Sequence, residues 1–231
     1  MMKHDTPETL NEIAAIRKEE FQQLILRWAK RNLRDFPWRK NPTPYVTLVS
    51  EVLLRRTTAS AVLRIYPVFM REYSDSKRIA ATEETKLASA LSTIGYHKQR
   101  ARILKAIAKY LIEKFNDTVP CSKESLLEIP HVGSYTAGAI LSLGCGQPSA
   151  MVDTNVERIY SRVFLSHLPK RGRRRFIDQI ASMYVPPDKH QTYNFALLDL
   201  AALVCTYGIP KCGICPVKGL CDYFSQGLPR R

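Results

Sequence analysis

The 231-residue chain is 45% hydrophobic and carries 35 Lys and Arg against 21 Asp and Glu, a formal charge of +14. That apolar content suffices for one large domain or two small ones, and no run of about eighteen apolar residues occurs, which excludes a membrane-spanning helix. The cationic excess repels itself unless a polyanion offsets it, so nucleic acid leads over a merely basic surface; no basic amphipathic stretch with aromatic anchors suggests a membrane.

In chain order, the first clear element is a helix over residues 18 to 33, where Phe21, Leu24, Ile25, Trp28 and Leu33 recur at helical steps. Pro42 and Pro44 mark a joint before a second helix. There Glu51 follows Val46, Leu48 and Val49 and heads Val52-Leu53-Leu54, at one end of a mostly buried face. Arg55-Arg56-Thr57-Thr58 comes next, with phosphate contact the plain reading of at least one arginine. Gly95-Tyr96-His97-Lys98-Gln99-Arg100 reads either as a helix connection with a half-buried Tyr96 or as a glycine turn presenting an aromatic, with Lys98 and Arg100 suited to phosphates. Ile103, Leu104, Ile107, Leu111 and Phe115 predict a helix over 100 to 115.

Pro120 and Pro130 bracket the next element, and Leu127-Glu128-Ile129-Pro130-His131-Val132-Gly133-Ser134-Tyr135-Thr136-Ala137-Gly138 forms a tight turn leading straight into a helix. Such a turn, with His131, Val132, Gly133 and Ser134 at the helix start, suits phosphate: the glycine admits a close approach and unpaired N–H groups face the anion. An ordinary helix connection needs the same turn residues. Asp153, after the apolar stretch Ala150-Met151-Val152, either caps the following helix or does chemistry. Lys170-Arg171-Gly172-Arg173-Arg174-Arg175 is a basic turn, solvated or at phosphate, and Pro186-Pro187 precede Asp188. Alternating strand patterns are nearly absent, which predicts an all-α fold of about ten helices.

Cys205, Cys212, Cys215 and Cys221, with six, two and five residues between them, sit among Gly208, Pro210, Gly213, Pro216 and Gly219 and read as one soft-metal site. Met1-Met2-Lys3-His4-Asp5 does not open a signal peptide, so a pair of disulfides in an oxidising compartment is the weak alternative. Spacing alone leaves zinc and iron–sulfur level, since only one zinc-type knuckle, Cys212-Gly-Ile-Cys215, is present. Cys121 and Cys145 read as buried small hydrophobes.

Leu33-Arg34-Asp35-Phe36-Pro37-Trp38-Arg39, Ser50-Glu51-Val52-Leu53-Leu54, the hairpin, Ala150-Met151-Val152-Asp153-Thr154-Asn155-Val156 and the four cysteines together resemble the helix-hairpin-helix DNA glycosylases of base excision repair. The resemblance runs from about Leu33 to Cys221 and implies two domains. One is a six-helix barrel over 45–150 with the hairpin; the other is a discontinuous cluster domain of 1–44 and 151–231, with the active site in the cleft between them. It also implies a [4Fe-4S] cluster on the four cysteines, zinc becoming the runner-up. The partner implied is double-stranded DNA carrying a mismatch, bound by a monomer in the cytoplasm at the nucleoid.

The same resemblance assigns the chemistry. Breaking an N-glycosidic bond builds positive charge on the sugar and negative charge on the leaving base. Asp153 would face the cation, Glu51 would protonate the base after burial had raised its pKa, and Asn155 would help hold the sugar or water. Tyr135 stands where lyase members carry a Schiff-base lysine, which implies hydrolysis by water with little strand cleavage. Thymine or uracil opposite guanine is the expected target: Leu54-Arg55-Arg56-Thr57-Thr58 looks like the archaeal mismatch thymine glycosylases, where adenine glycosylases show paired glutamines. The chain also stops ten residues after Cys221, without the reader of oxidised guanine found in adenine glycosylases. Adenine excision and a non-catalytic DNA-binding module remain the alternatives. Arg56 is the first expected wedge into the duplex, and the segment from Gly95 to Arg100 the second. His131, where the family hairpin carries glycine, and Thr154, where adenine enzymes commonly do, are the departures.

Overall fold

The computed structural model describes residues 7–227, with side chains from residue 12 on. Met1 to Asp5, read above for a signal segment, lie outside the described residues. No described helix is long and apolar enough to cross a membrane. Every regular element among the described residues is helical, as an all-α reading requires. Among the described residues there are twelve α-helical segments where about ten were expected, because segments of four to seven residues are too short to display a helical period.

The chain divides into two compact units, one comprising Asp35–Gln147 and the other the segments that end at Arg34 and begin at Pro148. Along the chain, the helices are α1 (Pro7–Asn32), α2 (Pro44–Leu54), α3 (Ala59–Glu72), α4 (Ser76–Ala81), α5 (Glu84–Ala90) and α6 (His97–Phe115). They continue as α7 (Lys123–Glu128), α8 (Ser134–Ala139), α9 (Thr154–Val163), α10 (Arg173–Tyr184), α11 (His190–Leu203) and α12 (Asp222–Ser225).

In the unit of α2 to α8, α6 packs against α2, α4 and α5. Its Leu104, Ile107 and Leu111 are fully buried, each contributing about 1.5–3 kcal/mol relative to exposure. Pro44 opens α2 at the position where its missing N–H costs nothing, and the Thr43 hydroxyl caps the helix by accepting from Val46 N at 3.1 Å. The end of α8 runs on as a wider turn, Ile140–Gly144, against α2. Gly144 is obligatory there, because a Cβ would lie 2.6 Å from Pro44 Cα.

Cys121 and Cys145 correct the sequence reading. They are not buried free thiols but an exposed and a half-buried residue joined in a disulfide across a separation of 24. The α7–turn–α8 hairpin brings its own two ends together, which spacing along the chain does not reveal.

In the other unit, α11 packs on α1 and α9, and α10 on α9. Phe21, Tyr160, Phe164 and Tyr184 form its aromatic centre. Asp199, fully buried in the apolar α11, accepts from Arg34 N at 2.8 Å and Arg34 Nε at 2.7 Å, which ties the segment after α1 to α11.

Candidate functional site

Three turns of the Asp35–Gln147 unit converge. Arg55 and Arg56 follow α2, Tyr96 precedes α6, and His131 lies in the hairpin between α7 and α8. These four line one cavity of about 390 Å³, with Arg100 and Gln99. Arg56, Tyr96 and His131 all have left-handed backbones, with φ of 50°, 60° and 64°. None is a glycine, so each conformation is held against its intrinsic preference. The Arg56 guanidinium stands 5.6 Å over the Tyr96 ring, so the two expected wedges form a single stacked pair.

Arg55 is turned inward: its Nη2 donates to His131 O at 2.6 Å and more weakly to Thr136 Oγ1 at 3.4 Å. Burial pulls the Arg55 guanidinium below its ordinary value, while the Glu51 carboxylate one helical turn back pulls the other way. Glu51 is half-buried in α2, with this opposing charge beside it and not only apolar neighbours. Arg100 is a second correction. Expected at a phosphate, it is 3% exposed, and its guanidinium donates to Val52, Arg55 and Gly95 carbonyls. His97 is half-buried and Lys98 exposed in the first turn of α6.

The hairpin is Ile129 to Gly133, with Val132 buried and His131, Gly133 and Ser134 exposed. Gly133 caps α8 with an ordinary φ of −104°. A Cβ there would meet nothing within 4 Å, so the chain itself does not require the glycine. Gly133 is exposed at the start of α8. His131 carries the positive φ instead, which gives a backbone reason for glycine in the family pattern. Tyr135 is half-buried in the first turn of α8.

In the other unit, Asp153 is the N-cap of α9. Its Oδ1 accepts from Asn155 N at 2.9 Å and Val156 N at 2.8 Å, and its Oδ2 from Asn155 Nδ2 at 2.8 Å. Asn155 in turn accepts from Arg158 Nη1 at 3.0 Å. Arg158 also donates to Cys205 O at 2.8 Å and Ala201 O at 3.0 Å. One turn on, Arg162 donates to Cys205 Sγ at 3.2 Å and Thr206 O at 2.8 Å. Sequence reasoning missed both arginines; their four-residue spacing on the helix that follows Asp153 was the available signal.

Cys205, Cys212, Cys215 and Cys221 are free thiols, each half-buried. Burial pushes the Cys215 thiol up to about 12, the Val217 N–H opposes, and the other three cysteines add to the rise. Cys221 is raised by burial and by Cys205 and Cys212. The four sulfurs therefore share one electrostatic neighbourhood, with the Arg162 guanidinium on one of them. Among the described residues, no group of three His, Cys, Asp or Glu is placed to hold a single metal ion.

Residues 49–181 match the model for the HhH-GPD superfamily base excision DNA repair protein. The chain belongs to that superfamily. This HhH-GPD protein is 35% identical over 211 residues to the thymine/uracil-DNA glycosylase of Methanothermobacter thermautotrophicus, covering 91% of this chain and 96% of that one. The solved structure of a thermostable thymine-DNA glycosylase superposes with a TM-score of 0.86 at 34% identity, covering 92% of this chain and 98% of that one. The adenine DNA glycosylase of Buchnera aphidicola subsp. Baizongia pistaciae is 31% identical over 205 residues, which is 88% of this chain but 58% of that protein.

Proposed function

We propose that this HhH-GPD protein is a monofunctional DNA glycosylase that hydrolyses the N-glycosidic bond of thymine or uracil mispaired with guanine. The observation that carries the reading is its likeness, over nearly the whole of both chains, to proteins named for thymine and uracil excision. The +14 charge suits a DNA partner, since each neutralised phosphate releases a counterion.

Each side chain takes a defined role. Asp153, whose cap bonds fix its carboxylate, presents negative charge to the cation that develops on the sugar as the C1′–N1 bond breaks. Glu51 gives a proton to the base as the bonding pair leaves with it. Water then adds to C1′, and its spare proton returns to a carboxylate. Asn155, held between Asp153 and Arg158, steadies the water or sugar. Tyr135 offers no amine, so no Schiff base forms and the product is an abasic site. His131, Val132, Gly133 and Ser134 meet the backbone phosphate.

The four cysteines suit a [4Fe-4S] cluster. Their thiols are free, influence one another, and include one, Cys205, whose sulfur accepts from the Arg162 guanidinium at 3.2 Å. When bound, the cluster supplies structural order and a redox centre at the Cys205–Cys221 loop; the hydrolysis belongs to the carboxylates.

Incubation with a T·G duplex, followed by chromatography of the released base, tests the proposal. Free thymine should appear, with strand breaks only after hot alkali. Equal strand cleavage after neutral and alkaline quenching would remove the monofunctional assignment, and no base release would favour a DNA-binding module.

A further inference from the structure

Arg100 is buried and charged, and its hydrogen bonds go to the main chain. Its Nε donates to Gly95 O at 2.8 Å, its Nη1 to Val52 O at 2.6 Å, and its Nη2 to Arg55 O. Two of these carbonyls have a particular position. The Arg55 carbonyl belongs to the peptide plane that enters Arg56, and the Gly95 carbonyl to the plane that enters Tyr96. Fixing each plane constrains the φ that follows it, and those φ values are 50° and 60°. Left-handed backbone is uphill for residues with a Cβ and persists only where the surroundings over-determine it. A planar guanidinium is suited to this, because it directs several donors in a rigid fork.

The arrangement is electrostatically uphill. Burial, and then the neighbouring Arg55 charge, pull the Arg100 guanidinium below its ordinary value. A cation of like charge is therefore kept beside Arg55, beneath a cavity whose rim includes Arg56 and Tyr96. Above it the Arg56 guanidinium lies on the Tyr96 ring, which is 56% exposed. A cationic side chain stacked on an exposed aromatic matches what a duplex requires when a nucleotide leaves its stack: a flat apolar surface for the gap and positive charge for the flanking phosphates.

Building on the glycosylase reading, we propose that Arg100 is a positioning residue: it locks the two peptide planes that set Arg56 and Tyr96 as one wedge, which fills the space left by the extruded base. It touches neither DNA nor the reacting atoms.

The test uses the full chain with Arg100→Lys, which keeps the charge but replaces the fork with a single ammonium. A T·G duplex carrying 2-aminopurine beside the target thymine reports extrusion by fluorescence, alongside duplex Kd and single-turnover base release. Duplex Kd should stay within about threefold, while the extrusion signal and the release rate fall about tenfold or more. Adding Arg100→Lys to Arg56→Ala should cost little beyond Arg56→Ala alone, since both act through one wedge. Release that falls while extrusion stays intact, fully additive losses, or no loss at all overturns the proposal. If Arg100→Lys does not fold, Arg100→Gln repeats the measurement; failure of both to fold also overturns it, because Arg100 would then hold the fold and not the wedge. Wild-type protein that neither extrudes nor releases thymine sinks the glycosylase reading itself, whereas active wild-type protein with an indifferent Arg100 sinks only this assignment.

Discussion

Replacing Asp153 by Asn separates its two possible duties, capping α9 and facing the sugar cation. The cap survives for the most part, because an amide oxygen can still accept from Asn155 N and Val156 N, and Asn ranks with Asp at N-caps. What is lost is the Oδ2 acceptor for Asn155 Nδ2. An amide nitrogen there opposes donor to donor, and Asn155 is not free to flip because its Oδ1 already accepts from Arg158. One hydrogen bond costs about 1 kcal/mol and the lost charge at the helix start about 0.3–1 kcal/mol, giving about 1–2 kcal/mol in all. A domain with ordinary stability of about 5–15 kcal/mol remains folded after that loss. The kinetic loss is larger: a unit charge about 4 Å from the cation at an effective dielectric near 20 is worth about 4 kcal/mol, or roughly a thousandfold in rate. Single-turnover base release with enzyme in excess, beside a thermal melt, reads both quantities. Asp153→Ser, a neutral residue that still caps, should lose a similar factor. A rate within about tenfold of wild type, with a normal melt, would refute the catalytic assignment and leave Asp153 as a cap alone.

Other consequences can be measured separately. Cys121→Ser with Cys145→Ser opens a loop with a separation of 24, and should lower stability by up to about 3.5 kcal/mol from chain entropy, read by chemical denaturation with and without dithiothreitol. An unchanged midpoint would mean that the bridge is not formed in solution. His131→Gly relieves a left-handed φ of 64°, and should raise stability by about 0.5–1 kcal/mol; a fall would show that the imidazole makes a stabilising contact. Arg162→Met removes the donor to Cys205 Sγ and Thr206 O, and should hasten loss of the broad iron–sulfur absorbance on exposure to air. A colourless wild-type protein, or a variant that bleaches at the wild-type rate, would contradict that expectation.

Much of the helical framework was legible because α1 and α6 are long enough for their periods to register: Phe21 and Ile25, then Leu104, Ile107 and Leu111, are all buried as the pattern requires. Short helices such as α4 and α5 leave no such trace. Glu51, Tyr135 and Asp153 became candidates because a family pattern pointed to them, and the cysteines because of their own spacing, while capping by Asp153 could be read from the chain alone. Arg100 was misread for a physical reason. In a run with Lys98 it looks solvent-facing, and only tertiary packing supplies the Val52, Arg55 and Gly95 carbonyls that bury it. The left-handed turns at Arg56 and Tyr96 were equally invisible, since neither residue is the glycine or asparagine that announces such a backbone. Asp199 was hidden in the apolar run of α11, its partner Arg34 lying 165 residues away.

Everything above turns on the base removed being thymine or uracil mispaired with guanine. The most direct measurement is single-turnover base release from four duplexes of one sequence, carrying T·G, U·G, A·G, or A opposite oxidised guanine. T·G and U·G should release their pyrimidine with the adenine duplexes left intact; release confined to the adenine duplexes would make the protein an adenine glycosylase instead.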